Sequence, residues 1–382
     1  MRVGIVTLAH NNDNYGGTLQ AVAMQQTLRD LGYTPFLCNI APMSAKTYHF
    51  KFSHPLRRFR EFRRFLAFVP FWNKHFAFDP AGHRAFADYV ADPTEADAYI
   101  CGSDQVWAPY NIDLGEKKLD FFTLNFGSKR AKRIAYAASL GTARFAPQCH
   151  AALRERLAQF DWIGVREESA VEAIAEVGRT DARWVCDPVL LQKASYWEKL
   201  ADGSRGACWP KHLAFCPFYR WQTVIPSDRV FAILKHKGLH IRMPFAPRLF
   251  KDWGKTCSGS PEAWLDGIRK SDVVVTNSYH AMLFAILFHR PFCVLTVHGK
   301  FSEMNARFHS VAKRLGLEDR IIGGGDIVDE AIIMRLWAPI DWNAVDARLE
   351  VWRRESLGLL AQAVDGSRPS VESVRFGAGC MG

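Results

Sequence analysis

Short apolar runs alternate with amphipathic helical runs along most of the chain, and this pattern predicts parallel sheets with crossover helices. The first apolar run, 3–9, predicts a buried strand; a polar turn follows over 10–17, and the periodic run 19–31 predicts a helix. Further strands are predicted at 34–40, 98–101, 133–137, 162–165 and 184–186, with helices at 147–160 and 169–177. Together these elements predict a doubly wound first domain.

A second alternation of the same kind follows the stretch 201–209, whose glycines and serine are typical of a linker. This alternation predicts strands at 212–216, 240–243, 273–276 and 292–297, and helices at 227–237, 261–269 and 281–288. Closing helices are predicted at 329–337 and 345–363. The pattern therefore predicts a second domain similar to the first.

The predicted organisation is an N-terminal Rossmann-like domain over 1–200, with a basic aromatic insertion at about 41–93, and a C-terminal Rossmann-like domain over 201–340. A closing helix at 341–365 and a flexible tail at 366–382 complete the chain. Two doubly wound domains facing one another bring the loops after their strands to a shared cleft, where open α/β sheets bind ligands. The loops directly after strands are therefore the first places to search for function.

Composition supports this organisation and narrows the class of protein. The 382 residues are 48% hydrophobic, which is enough for two ordinary cores. No apolar run reaches the roughly 18 residues of a membrane-spanning helix, and the first residues enter a strand without a signal peptide, which predicts a cytoplasmic protein. Nine cysteines occur without a CxxC pair, which indicates reduced core residues and argues against a disulfide framework or a zinc site.

The formal charge of +10 and the isoelectric point near 9.2 favour an acidic partner. The densest basic segment is 51–64, and a helix there places Phe59, Phe62 and Leu66 on one side. Contact with an anionic membrane, a lid over an anionic substrate and a helix docked on its domain are three open interpretations. Nucleic-acid binding is not expected, because no binding module accompanies the patch. Its arginines are Arg57, Arg58, Arg60, Arg63 and Arg64.

The turn after the first predicted strand contains Asn14, Tyr15, Gly16 and Gly17. Two glycines let backbone amides approach a ligand closely, and the following helix presents its positive end. The turn lacks the GxGxxG and Walker patterns, so no specific nucleotide claim is supported. It is interpreted either as a ligand-binding turn or as a tight turn without a ligand.

Two later strands of the first domain also end in polar residues. Ser103 and Asp104 follow the strand 98–101, and this carboxylate is suited either to accept a proton or hold sugar hydroxyls, or to cap a helix. Arg166 follows the strand 162–165, and its planar fork matches a carboxylate or phosphate. The alternative for Arg166 is a surface ion pair with the neighbouring Glu167 or Glu168.

In the second domain, Ser278, Tyr279 and His280 connect a strand to a helix, with Asn305 and Arg307 as further polar candidates. A histidine near helix N-terminal amides is placed where an enzyme holds a phosphate beside an acid, although it can also simply pack in the turn. The sequence contains no GxSxG elbow, no HExxH and no DxD. Hydrolase chemistry and a metal site are therefore not favoured.

These turns resemble the polysaccharide pyruvyl transferase family, over roughly 3 to 320. The motifs in combination are specific, although each is short. The residues that carry the resemblance are Gly4-Ile5-Val6-Thr7, Asn14-Tyr15-Gly16, Leu19-Gln20, Gly102-Ser103-Asp104-Gln105-Val106-Trp107, Lys132-Arg133-Ile134-Ala135-Tyr136-Ala137-Ala138-Ser139, Val165-Arg166-Glu167-Glu168-Ser169, Asp187-Pro188, Ser278-Tyr279-His280, and Asn305 with Arg307.

The resemblance implies a GT-B-like pair of Rossmann-like domains and transfer of the enolpyruvyl unit of phosphoenolpyruvate onto a sugar as a cyclic ketal. It implies no metal or cofactor, and as acceptor a cell-surface polysaccharide or its lipid-linked precursor at the inner face of the membrane. Two other functions stay open, namely a GT-B-type glycosyltransferase using a nucleotide sugar and a non-catalytic partner in a polysaccharide assembly complex.

Carried onto this chain, the family's chemistry suggests His280 as the general acid or phosphate partner and Asp104 as the base or hydroxyl orienter. Many members have arginine and leucine before the histidine and glycine after it, whereas this chain has Ser278-Tyr279 and Ala281. The arginine that holds the phosphate must therefore come from elsewhere, with Arg307 and Arg166 as candidates. The remaining substrate-binding candidates are Asn14, Tyr15, Gly16, Gly17, Ser103, Ser278, Tyr279 and Asn305.

Overall fold

The computed structural model describes residues 1–9, 14–43, 55–112, 116–204, 209–217, 227–243, 259–297, 299–323 and 335–366. The chain divides into two compact units. The first unit comprises Met1–Pro42, Asn73–Leu191 and Leu349–Gly382. The second unit comprises Met43–Trp72 and Gln192–Arg348.

Parallel strands form one sheet in each unit. The strands of the first unit are β1 (Arg2–Val6), β2 (Thr34–Leu37), β3 (Ala98–Cys101), β4 (Lys132–Ala138), β5 (Trp162–Val165) and β6 (Arg183–Trp184). Those of the second are β7 (Leu213–Phe215), β8 (His240–Arg242), β9 (Val273–Thr276), β10 (Phe292–Leu295) and β11 (Ile321–Ile322).

Helices follow most of the strands, as parallel connections require. They are α1 (Tyr15–Asp30), α2 (Pro55–His75), α3 (Phe86–Ala91), α4 (Pro109–Ile112), α5 (Glu116–Phe122), α6 (His150–Leu157), α7 (Ser169–Glu176), α8 (Pro188–Leu191), α9 (Ala194–Ala201), α10 (Ser227–His236), α11 (Pro261–Arg269), α12 (Tyr279–Leu287), α13 (Ala306–Leu315) and α14 (Trp342–Asp365).

Strand order defines one topological switch point in each sheet. The first sheet has the order β2-β1-β3-β4-β5-β6, so the chain leaves β1 and β3 in opposite directions. The second has the order β11-β10-β9-β7-β8, so the switch lies between β7 and β9. Ligands in open α/β sheets bind beyond the carboxyl ends of such strand pairs. The fold therefore directs attention to the residues after β1 and β3, and after β7 and β9.

Aromatic residues fill the core of the first unit on one side of its sheet. Tyr99 in β3 lies 5.0 Å from Phe126 between ring centroids, in an edge-on arrangement. Tyr89 in α3 meets Phe121 edge-on at 5.4 Å. Edge-to-face packing is the favourable geometry for rings, and it holds α3 and α5 against the strand that leads into Ser103 and Asp104.

In the second unit, the helix after β9 is buried on every side. All nine residues of α12 are buried, and Phe284 packs edge-on against Trp197 at 4.9 Å and Trp264 at 5.6 Å. A helix that is apolar all round belongs in a core, where neighbours fix its position. The N-terminus of α12, with Tyr279 and His280, is consequently held in a rigid frame.

The predicted fold class, two Rossmann-like α/β domains, is confirmed, whereas several boundaries differ. The helix predicted at 19–31 begins at Tyr15, because Asn14 caps it before the apolar periodicity starts. The unit boundary lies at Leu191 rather than near residue 200, and 43–72 belongs to the second unit. The closing helix returns the chain to the first unit from Leu349 onward, where Arg353 donates to the carbonyl of Leu190.

Two sequence predictions fall partly outside the described residues. The predicted helix at 329–337 is described only as a 3-10 turn over Arg335–Trp337, and the predicted tail beyond 366 lies outside. In the basic segment, side chains are described from residue 62 onward, and the buried face there is Phe65, Phe68 and Trp72 rather than a face through Leu66, which is 38% exposed. No described helix is long and apolar enough to cross a membrane.

Candidate active site

Asn14 lies directly before the first turn of α1. Its side chain accepts a hydrogen bond from the Gly16 amide at 3.1 Å, so it is the N-cap of a 16-residue helix. Tyr15, Gly16 and Gly17 therefore belong to the helix and not to a separate turn. A side chain on Gly17 would meet the Leu8 carbonyl at 2.8 Å and the Asp104 carboxylate at 3.3 Å. The glycine is required here because the backbone after β1 leaves no room for a side chain, and the loop after β3 is also close.

The loop after β3 places the Asp104 carboxylate close to Gly17. Gly102, with φ of +124°, has no room for a side chain against the Tyr136 carbonyl, and Asp104 adopts the left-handed region at φ of 69°. Asp104 Oδ1 accepts from the Gln105 amide at 2.9 Å. Non-glycine residues in this region cost free energy and are frequent at functional sites. The carboxylate thus lies at the switch point of the first sheet, beside the positive end of α1.

A buried ionic cluster surrounds Arg166 after β5. The ion pair with Glu167 is present, but only 1% of Arg166 is exposed, so the pair is buried and does not lie on the surface. The guanidinium lies 3.0 Å from Glu167 Oε1, 3.4 Å from Asp187 Oδ2 and 3.9 Å from Asp104 Oδ1. One positive group thus faces three acidic side chains. Because a buried charge is strongly destabilising without its partners, these residues form one interdependent set.

Hydroxyl groups complete the cluster. Ser139 donates to Glu167 Oε1 at 2.8 Å, and Ser103 donates to Asp187 Oδ2 at 2.9 Å. Ser103 is fully buried, so its hydroxyl holds the loop to Asp187. Ser103 therefore positions its neighbour Asp104, and its predicted contact with substrate stays a prediction.

An irregularity in β4 brings Ser139 to this cluster. The register with β5 shifts between Ala135 and Ala138, and Ala137 lies at φ of 53°. A bulge of this kind bends a strand and redirects the residues that follow it. The Ser139 amide donates to the Asp104 carbonyl at 3.1 Å, so the bulged strand also supports the Asp104 loop.

The second sheet carries a different group of residues at its switch point. Thr276 Oγ1 at the end of β9 donates to the Pro217 carbonyl after β7 at 2.5 Å, which joins the two switch strands. The Ser278 amide donates to Thr276 Oγ1 at 2.9 Å, and Ser278 occupies the N-cap position of α12 without a side-chain capping hydrogen bond. His280, in the first turn of α12, is buried.

Aromatic rings and an arginine surround Tyr279. Its ring lies 5.3 Å from the His280 ring and 6.4 Å from the Phe308 ring, between centroids. The Arg307 guanidinium carbon lies 5.9 Å from the Tyr279 ring centroid and 5.0 Å from that of Phe308. Tyr279 thus adjoins both an arginine and a histidine in the first turn of a helix, and positive groups of this kind are suited to an anion.

Asn305 does not offer its amide to this group. Its Oδ1 accepts from the Val297 amide at 2.9 Å, and its Nδ2 donates to the Val297 carbonyl at 2.8 Å. The side chain therefore fixes the chain after β10 to the start of α13. These two hydrogen bonds give the Asn305 side chain a structural role. A substrate contact by Asn305 stays a prediction.

Sequence reasoning gave no role to Gln20, Ser139 or Asp187 and treated Glu167 only as a surface partner of Arg166. The signal that was available is positional, because Ser139 and Asp187 also follow strands whose carboxyl ends meet at one edge of the sheet. Within the described ranges, no group of three or more His, Cys, Asp or Glu side chains is arranged to hold a metal ion.

The model of one protein family, polysaccharide pyruvyl transferase, matches residues 14–299. This range includes the turn at Asn14, the ionic cluster and His280, and it covers most of the chain. The chain belongs to the polysaccharide pyruvyl transferase family. The family resemblance expected from the sequence is thereby confirmed, and the match ends before Asn305 and Arg307.

Comparison with curated proteins finds no match to this member of the family. Among solved structures, the UDP-N-acetylglucosamine 2-epimerase of Rickettsia bellii aligns over 95% of this chain and 96% of its own, with a TM-score of 0.51 and 11% identity. Another UDP-N-acetylglucosamine 2-epimerase aligns over 97% of this chain and 98% of its own, with a TM-score of 0.50 and 10% identity. At such identity the likeness shows the fold alone, a two-domain α/β fold of the GT-B type.

Proposed function

We propose that this chain transfers the enolpyruvyl unit of phosphoenolpyruvate onto two hydroxyls of one sugar, forming a pyruvate ketal. The observation that carries the proposal is the family match over residues 14–299, which spans the strand-end residues of both sheets. The sugar belongs to a cell-surface polysaccharide or its lipid-linked precursor, as the resemblance implies. Following the same resemblance, the reaction uses no resident metal or cofactor.

The reaction needs a proton donor, a proton acceptor and a place for phosphate. The methylene carbon of phosphoenolpyruvate gains a proton, and one sugar hydroxyl adds to C2 while losing its proton to a base. A second hydroxyl of the same sugar then displaces phosphate at C2, and its proton leaves with the phosphate. A general acid and a general base thus act in the first step, and a cationic site stabilises the phosphate throughout.

His280 and Arg307 are proposed for the donor substrate. His280 lies in the first turn of α12, and Arg307 lies across the Tyr279 ring, 5.9 Å from its centroid. A helix N-terminus, an arginine and a histidine supply the positive potential that a phosphate and a carboxylate require. We assign His280 as the acid or phosphate partner and Arg307 as a holder of the phosphate.

Asp104 and Arg166 are proposed for the acceptor side of the reaction. Arg166 already faces three carboxylates at 3.0, 3.4 and 3.9 Å, which favours Arg307 over Arg166 as the phosphate partner. A carboxylate accepts hydrogen bonds only, which suits the deprotonation or orientation of a sugar hydroxyl. In this proposal Asp104 is the base or hydroxyl orienter, and Arg166 keeps its carboxylate in place.

The basic segment is proposed to contact an anionic membrane near a lipid-linked acceptor. In α2, Arg63 is exposed and Leu66 is 38% exposed, while Phe65, Phe68 and Trp72 are buried. Arginines near an anionic surface contribute about 1 kcal/mol each. Replacing Arg57, Arg58, Arg60, Arg63 and Arg64 with glutamine is expected to abolish salt-sensitive binding to anionic vesicles and to spare activity on a soluble glycoside. If the wild-type protein ignores such vesicles at low salt, α2 is only a docked helix or lid.

The central experiment measures phosphate release from phosphoenolpyruvate with a panel of glycosides and lipid-linked sugars, with product analysis by mass spectrometry. We expect phosphate release that depends on the acceptor and an acceptor product carrying one pyruvate ketal. Nucleotide sugars are tested in parallel, because the nucleotide-sugar alternative rests on the fold alone. Glycosyl transfer without pyruvyl transfer would overturn the proposal, and so would binding of phosphoenolpyruvate without turnover on any acceptor.

A further inference from the structure

We propose that Gln20 is a positioning residue that fixes the Asp104 loop against the first turn of α1. The inference rests on the proposed function, since it assigns Asp104 a part in the reaction. Gln20 is 0% exposed and lies in the second turn of α1. Its side chain contacts the backbone of two predicted substrate-binding residues, Gly17 and Ser103, so its effect on the reaction passes through them.

The Gln20 amide makes three hydrogen bonds to three separate chain segments. Its Nε2 donates to Thr7 Oγ1 at 2.8 Å, just after β1, and to the Gly17 carbonyl at 2.8 Å, in α1. Its Oε1 accepts from the Ser103 amide at 3.2 Å, after β3. Two donors and an acceptor on one planar group are available only from asparagine or glutamine.

Thr7 closes the arrangement into a ring of hydrogen bonds. Its hydroxyl, which accepts from Gln20, donates to the Ser103 carbonyl at 3.0 Å. Both backbone polar groups of Ser103 are therefore held, the amide by Gln20 and the carbonyl by Thr7. Because all three side chains are buried, each bond lost would leave a polar group without compensation by water.

This ring fixes the backbone that leads into Asp104. The peptide that Thr7 holds through the Ser103 carbonyl leads directly into Asp104, which adopts the left-handed region at φ of 69°. Gln20 also binds the carbonyl of Gly17, where an added side chain would meet the Asp104 carboxylate at 3.3 Å. One amide thus joins the two segments whose separation sets the position of that carboxylate, at the switch point of the first sheet.

The same helix provides a matched control. Gln25 is also 0% exposed, donates to the Ala21 carbonyl at 3.1 Å and accepts from the Ala77 amide at 2.6 Å. Its contacts hold the chain after α2 and do not involve the loops after β1 or β3. Gln20→Met and Gln25→Met therefore remove comparable buried hydrogen bonds from α1, but only the first removes the ring around Ser103.

The kinetic test compares these two variants in pyruvyl transfer. We expect Gln20→Met to lower kcat by about 10- to 100-fold, as displacement of a reacting group does, with KM for phosphoenolpyruvate unchanged. Gln25→Met should lose similar thermal stability and keep its kcat. Thr7→Val, which removes the other arm of the ring, should lower kcat in the same direction, and it replaces Gln20→Met should that variant not fold. Equal kcat values for the Gln20 and Gln25 variants would overturn the inference.

A second readout does not depend on the reaction. Hydrogen–deuterium exchange is expected to become about fivefold faster for the amides of 103–106 in Gln20→Met and to stay at the wild-type rate there in Gln25→Met. Unchanged exchange in Gln20→Met would overturn the positioning role, whatever the activity. If the wild-type protein fails to turn over phosphoenolpyruvate while this exchange difference is present, the proposed function fails and the structural assignment of Gln20 stands.

Discussion

The two sheets share the strand arrangement around their switch points, but the residues that follow those strands differ in charge. In the first unit, Asp104, Glu167 and Asp187 surround Arg166 within 3.9 Å, and the buried hydroxyls of Ser103 and Ser139 donate to Asp187 and Glu167. In the second unit, Arg307 lies over the rings of Tyr279 and Phe308, and Tyr279 adjoins His280 in the first turn of α12. Two sheets of one topology therefore acquire distinct ligand preferences from the few residues that follow their strands.

The difference indicates how the two sites divide the proposed reaction. A cluster in which acidic groups outnumber the arginine suits neutral hydroxyl groups, which donate to carboxylates. A site of arginine, histidine and helix amides suits phosphoenolpyruvate, which carries a carboxylate and a phosphate. The account therefore places the donor with the second unit and the acceptor hydroxyl with the first.

The largest effect is expected at His280 of the second unit. His280→Ala should lower kcat for pyruvyl transfer by about 100- to 10,000-fold, because it removes the proposed proton donor. Far-ultraviolet circular dichroism and thermal unfolding should show an intact fold. His289→Ala is the control, because His289 is exposed beyond the other end of α12 and pairs with Asp346 at 3.0 Å. Near wild-type activity of His280→Ala would show that His280 is not the proton donor.

A smaller effect is expected from Arg166→Lys in the first unit. An ammonium group cannot reproduce the fork that spans Glu167 and Asp187, so Asp104 loses its support. We expect kcat to fall about 10- to 100-fold and the free energy of unfolding to fall by about 1–3 kcal/mol, with KM for phosphoenolpyruvate unchanged. Steady-state kinetics and urea unfolding measure both. A raised KM at full kcat would instead place the donor at Arg166.

Asn305 tests whether the second site depends on its hydrogen-bonded frame. Asn305→Ala removes both bonds to Val297 and should destabilise the protein by about 1–3 kcal/mol, with a modest loss of activity. Asn305→Asp removes only the donor to the Val297 carbonyl, so its stability should lie between those of the wild-type protein and Asn305→Ala. If Asn305→Ala keeps full stability but loses phosphoenolpyruvate affinity, Asn305 is a substrate contact as the sequence suggested.

The smallest effect concerns acid stability of the first unit. Burial, with Lys74 and Arg29 nearby, lowers the pKa of His75 from 6.5 to about 4. The folded state keeps His75 neutral where the unfolded chain binds a proton, so this residue destabilises the fold as pH falls from 6.5 to 4 and has no effect above that range. His75→Gln should flatten the decline in melting temperature over this interval. An unchanged decline would assign it to other groups.

The strands and the fold class could be predicted from the sequence because apolar runs of fixed period determine them. The bounds of β3 and β5 agree with the prediction, as do those of β9 and α11. The start of α1 could not be predicted from apolar periodicity, since the helix begins with a cap and two glycines. The domain boundaries differ for another reason, because α2 and α14 each run from one unit into the other.

The sequence predicted which residues of the candidate site follow strands. It did not predict which of their side chains are in contact. His280 and Asp104 follow strands, which is visible in the sequence. The partners of Arg166 depend on which strand ends meet, and Asp187 lies 21 residues away along the chain. Gln20 was visible only as part of a motif, and its role comes from three contacts that no local pattern encodes.

The most direct test of the account is equilibrium binding of phosphoenolpyruvate, measured by titration calorimetry on the wild-type protein, Arg307→Lys and Arg166→Lys. The account predicts binding by the wild-type protein, affinity reduced about tenfold or more in Arg307→Lys because a point charge replaces a bidentate fork, and wild-type affinity in Arg166→Lys. The reverse pattern, with affinity lost in Arg166→Lys and kept in Arg307→Lys, would contradict the assignment of the donor to the second unit.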